Sequence, residues 1–77
     1  MMPKITPVHY KQLAGVFEQA GFTFDRQKGD HLIYIKAGIS RAVVIPMYPE
    51  VPVFIIKNNL RTAGIPRDEY FELLEQI

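Results

Sequence analysis

The stretch FTFDRQKGDHLIYIKAGISRAVVIP, residues 22–46, decides the fold. Phe22-Thr23-Phe24-Asp25 alternates apolar and polar side chains, as a half-buried strand does. Gln27-Lys28-Gly29-Asp30 reads as a hairpin turn in which Gly29 supplies a positive φ. Leu32 to Ile35 is a second strand, and Lys36 to Ser40 a second turn. Arg41 to Ile45 is a third strand, stopped by Pro46. Three strands joined by two short connections make an antiparallel meander.

Helical patterns lie on either side. Upstream, Thr6-Pro7 predicts a helix start, with Thr6 as cap and Pro7 at the first helical position. Tyr10, Leu13, Ala14, Phe17 and Ala20 then form one apolar stripe, and Gly21 ends the helix. Downstream, MYPEVP (residues 47–52) is loop. A second helix follows Pro52, with Val53, Ile56, Leu60 and Ala63 on one face, and Gly64 ends it. Pro66 opens a third helix, with Asp68 and Glu69 near its N-terminal dipole and Phe71, Leu74 and Ile77 as its stripe. The order α-β-β-β-α-α predicts an α+β sandwich: a three-stranded antiparallel sheet with helices on one face and the other partly open.

Composition sets outer bounds. The 77 residues suit one domain, residues 1–77. An apolar fraction of 48% with 22% charged residues argues against disorder. Without cysteine there is no disulfide framework and no Cys-type zinc site. No apolar run approaches the ~18 residues that span a bilayer. The first residues lack a signal-peptide core, so a cytoplasmic setting is expected. Net charge is only +1, but it is unevenly spread. Residues 1–41 hold six cations against three anions, a balance of +3, and residues 42–77 hold three against five, a balance of −2. The basic half contains both histidines, so a polyanion can be attracted locally.

His31 is the residue with most chemical potential. An imidazole gives and takes a proton near neutral pH. In RNA cleavage by internal attack, a base removes the 2′-hydroxyl proton, an acid protonates the departing 5′-oxygen, and cations steady the charge on phosphorus. His31 with Arg26 and Lys28 suffices for that without a metal or cofactor. A turn histidine that faces water is the plain alternative. Alternation along the second strand sets His31, Ile33 and Ile35 on one face and Leu32, Tyr34 and Lys36 on the other. The polar tips of the second set mark it as the outer face, which would put His31 on the helix-covered side. Tyr34 and Tyr48 are candidates to stack bases, or to pack at the sheet edge. Lys57 and Arg61, spaced i, i+4, are candidates for phosphate contact or simply a solvated helix face. His9 reads as a surface residue of the first helical turn, and Glu69, Glu72 and Glu75 as a solvated face. The one serine, Ser40, lies in a turn, which leaves no serine triad, and neither GxGxxG nor a P-loop is present.

Four segments in order carry a resemblance. AGFTFDRQKGDH, the strand LIYIK, VVIP, and NNLRTAGIPRDEYFELL together resemble the HicA family of bacterial and archaeal toxins, from about residue 8 to residue 75. The resemblance implies a fold like a double-stranded-RNA-binding domain and a metal-independent mRNA endonuclease. It implies a catalytic histidine just after the glycine turn, here His31. It implies a HicB-like antitoxin that covers this histidine in a hetero-oligomer. The RNA-binding candidates are then Arg26, Lys28, Gly29, Tyr34, Lys36, Tyr48, Lys57 and Arg61. The chain departs from the family pattern in three places. Asp30 precedes the histidine where many relatives have serine, Tyr48 stands where many have a second histidine, and Phe54-Ile55 replaces Gly-Thr at the second helix. Two other readings remain open from sequence: a non-catalytic RNA-binding module on the same basic edge, and an interaction domain that serves only its cognate partner.

Overall fold

The computed structural model describes residues 4–77. Its elements are α1 (Tyr10–Gln19), β1 (Thr23–Lys28), β2 (His31–Lys36), β3 (Ile39–Pro46), α2 (Val53–Ala63) and α3 (Arg67–Glu75). The strands form one antiparallel sheet in the order β1-β2-β3. This is the α+β arrangement of a double-stranded-RNA-binding-like domain, as the meander and its flanking helices predict. The core joins Leu13 and Phe17 of α1, Val43 and Ile45 of β3, Ile56 and Leu60 of α2, and Tyr70 of α3. No helix among the described residues is long and apolar enough to cross a membrane.

The helix ends show where local signals hold and where they lose. Gly64 adopts φ +72 and closes α2 as expected, since a left-handed residue lets its own N–H and the next return to the last carbonyls. At α1 the Thr6-Pro7 signal loses. Val8 is extended and pairs with Val51, whose N–H donates to the Val8 carbonyl at 2.7 Å. A residue held in that bridge cannot also be helical, so α1 starts at Tyr10. His9 is its cap rather than a first-turn residue, its Nδ1 accepting from the Lys11 N–H at 3.1 Å. The stripe of α3 is also rotated from expectation. Tyr70 is its buried residue, Phe71 and Leu74 are partly covered, and Ile77 is 56% exposed.

β1 runs on to Lys28, so the hairpin loop shrinks from four residues to two, Gly29 and Asp30. Gly29 has φ +61 and no other type of residue has positive φ among the described residues. A glycine at the first of two central positions is what a type II′ connection requires. The assignment of faces on β2 is reversed by the structure. Tyr34 is 4% exposed and lies in the core, paired with Val43, while Ile35 is 43% exposed. The Tyr34 hydroxyl donates to Glu18 of α1 at 2.8 Å, which satisfies the polar tip inside. Burial, then this hydrogen bond and the carboxylate's charge, push the phenol up to about 12. Lys36 points the same way: its ammonium donates to the Ala20 carbonyl at the end of α1 and lies 5.7 Å from the centre of the Phe22 ring. His31 therefore belongs to the open face of the sheet.

Candidate functional site

Residues directly opposite in an antiparallel pair share a face, so the register maps the open side. Lys28, His31 and Pro46 form one row, and Arg26, Ile33 and Val44 the next. A β-bulge between Phe24 and Arg26 makes this possible. Simple alternation from Phe24, which pairs with the inward Tyr34, would turn Arg26 inward too. The extra residue, Asp25, shifts the phase and brings Arg26 onto the face of His31, the kind of re-aiming bulges provide. Arg26 is ion-paired with Asp25. Lys28 has no ion pair or hydrogen bond from its side chain among the described residues.

His31 is held at the first position of β2, straight after the two-residue turn. Its side chain is 44% exposed, and Nδ1 lies 3.0 Å from Oδ1 of Asp30. That contact leaves Nε2 as the nitrogen free to meet a ligand. The turn is fixed from below, because the Met47 N–H donates to the Asp30 carbonyl at 2.8 Å. The loop that supplies Met47 is itself tied down. The Tyr48 N–H closes back on the Pro46 carbonyl at 2.8 Å, and the Tyr48 carbonyl accepts from the first N–H of α1 at 3.1 Å. These bonds set Tyr48, 41% exposed, beside His31.

Two grooves meet at His31. One, of about 510 Å³, lies on the sheet and is walled by Arg26, Lys28, Asp30 and Ile33. The other, of about 290 Å³, runs between β3 and α2 and is lined by Tyr48, Arg41, Asn58, Asn59 and Thr62. His31 and Val44 border both. The first groove joins two cations to a proton-exchanging ring, the minimum set for chemistry at a phosphodiester. Among the described residues no three His, Cys, Asp or Glu side chains are grouped to hold a metal.

The sequence candidates thus divide. The structure brings Arg26, Lys28, Gly29 and Tyr48 together around His31. It takes Tyr34 and Lys36 away: a core ring offers no face to a base, and the Lys36 ammonium is committed to the end of α1. Lys57 and Arg61 are exposed on α2 but border neither groove. Asn58, Asn59, Thr62 and Arg41 escaped the sequence reading. Their signal was there, since Ile55, Asn58, Asn59 and Thr62 repeat at i, i+3, i+4, i+7 and so share one helix face. Their polar side chains stand beside the stronger apolar stripe of Val53, Ile56, Leu60 and Ala63, which dominates the pattern of this helix.

Comparison with known families finds a match. The model described as HicA toxin of bacterial toxin-antitoxin aligns with residues 10–65, from the first residue of α1 through all three strands and α2. No curated protein matches the chain.

Proposed function

The chain belongs to the HicA toxin family and is the toxin of a toxin-antitoxin system, and from that premise we propose that it is a metal-independent mRNA endoribonuclease with His31 as general acid and base. The observation that carries this reading is the half-exposed imidazole at the junction of two grooves, with Lys28 directly opposite it on β1. In the proposed reaction, His31 Nε2 takes the proton from a ribose 2′-hydroxyl. The 2′-oxygen bonds to phosphorus, the bond from phosphorus to the 5′-oxygen breaks, and the same imidazole returns a proton to that leaving oxygen. The products are a 2′,3′-cyclic phosphate and a 5′-hydroxyl. Lys28 and Arg26 face the phosphate, where added negative charge in the transition state strengthens their hold. Asp30, beside Nδ1, orients the ring.

A toxin of this family has an antitoxin partner. The proposed partner is a HicB-like protein that covers His31 in the cytoplasm. The test is induction of the wild-type chain and of His31→Ala, followed by incubation of each purified protein with RNA in EDTA. Growth arrest and cleavage with the wild type, both abolished by the substitution, support the reading. RNA binding without cleavage would replace it with a non-catalytic RNA-binding module.

A further inference from the structure

Asn59 is the one buried polar residue among the described residues, 7% exposed on α2. Its amide nitrogen has no hydrogen-bond partner, and no bond is made by its oxygen either. An unpaired buried amide costs stability, and packing does not require it, because apolar residues fill the equivalent positions of the core stripe. Asn59 also borders the groove between β3 and α2. Its amide carries a donor and an acceptor side by side, so it pairs fully only with a base edge that presents the complementary acceptor and donor.

The rest of the groove is built for something flat with polar edges. Tyr48 supplies an aromatic wall, Val44 an apolar floor, and Asn58 and Thr62 further donors and acceptors. Its volume of about 290 Å³ lies just below the ~300–1,000 Å³ of ligand pockets. That suits one planar ring system rather than a duplex, whose bases are stacked out of reach. His31 closes one end, and the cationic groove of Arg26 and Lys28 continues beyond it.

We propose that the groove between β3 and α2 is a nucleobase subsite, in which Tyr48 stacks the unpaired base next to the scissile phosphate and Asn59 reads its hydrogen-bonding edge. This rests on the ribonuclease reading of the same site and adds the origin of its base preference. Arg41 lies at the same groove, placed to meet the phosphate of that nucleotide. An amide in this position discriminates between bases because the wrong edge leaves it unpaired.

The test uses the full chain and short RNAs with a 2′-deoxy nucleotide at the junction, which bind and cannot be cleaved by internal attack. Four versions differ only in the base at that nucleotide. Binding should shift the Asn59 side-chain amide and Tyr48 ring resonances, and one base should bind about tenfold tighter than the weakest. Asn59→Ala should bring the four affinities within a factor of two, and Thr62→Ala, half-buried at the edge of the groove, should narrow the spread if the first variant does not fold. RNA that shifts His31 and Lys28 but leaves Asn59 and Tyr48 unmoved would overturn the subsite while sparing the ribonuclease reading. Base-dependent binding at the groove with no cleavage of all-ribose RNA would do the reverse. Equal affinities for all four bases in the wild type would overturn the subsite.

Discussion

The two faces of the sheet share the same three strands and divide their tasks residue by residue. On the covered face, Leu32 pairs with Ile45 and Tyr34 with Val43, under α1 and α2. On the open face, the neighbouring residues pair as Lys28, His31 and Pro46, then Arg26, Ile33 and Val44. The covered face is closed by apolar contact and by two long-range side-chain hydrogen bonds, from Tyr34 to Glu18 and from Lys36 to the Ala20 carbonyl. The open face keeps two cations and an imidazole in reach of solvent. Stability and the proposed chemistry are therefore separated by one residue of strand register, and substitutions on adjacent positions should separate them in measurement.

The largest contrast should come from His31→Ala. RNA cleavage should fall by roughly 10² to 10⁴, the usual share of a general acid–base residue, and stability should stay within about 0.5 kcal/mol of wild type. Parallel cleavage and urea-unfolding series check both, and an equal loss in each would erase the division. Ile45→Ala should act the other way. Ile45 is fully buried, and truncating it should cost about 2–5 kcal/mol. The folded fraction should still cleave at the wild-type rate when activity is normalised to it.

A third contrast is read by pH. The Tyr34 phenol is pushed up to about 12 in the fold, against about 10 in the unfolded chain. Between those values the unfolded state releases its proton and the native state keeps it, so stability falls as pH rises. The loss for this group is about 2–3 kcal/mol over that interval, and below pH 10 its contribution is complete. Burial raises Tyr70 as well, with the same sign. Tyr34→Phe should flatten the slope above pH 10 without altering cleavage at neutral pH. The smallest effect belongs to Lys28→Ala. It should reduce the dependence of log affinity on log salt by about 0.7, the share of one phosphate contact on a single strand, and leave unfolding unchanged within about 0.5 kcal/mol.

Local signals were enough for the element order and for the place of His31 straight after the glycine turn. Gly64, Pro46 and the alternation in β2 act within a few residues, and the element order follows from them. What sequence could not give was set by distant partners. Tyr34 and Lys36 look outward because each has a polar end, yet Glu18 and the Ala20 carbonyl, both sixteen residues away, receive those ends inside. The same holds for Val8, whose bridge to Val51 cancels the Thr6-Pro7 start. The bulge at Asp25 decides the direction of Arg26, and it follows from pairing with β2 rather than from any local pattern. Asn59 illustrates a different failure: its place on the helix was readable, but its isolation was not.

The loop that carries Tyr48 is fastened to the β1–β2 turn, to the first amide of α1 and to Val8. A segment anchored at three points has little freedom to swing as a gate. If the proposed ribonuclease reading holds, turnover at this site does not wait for the loop to close. On the proposed ribonuclease reading, a partner that blocks His31 need only fill the two grooves as they stand, with no loop to displace.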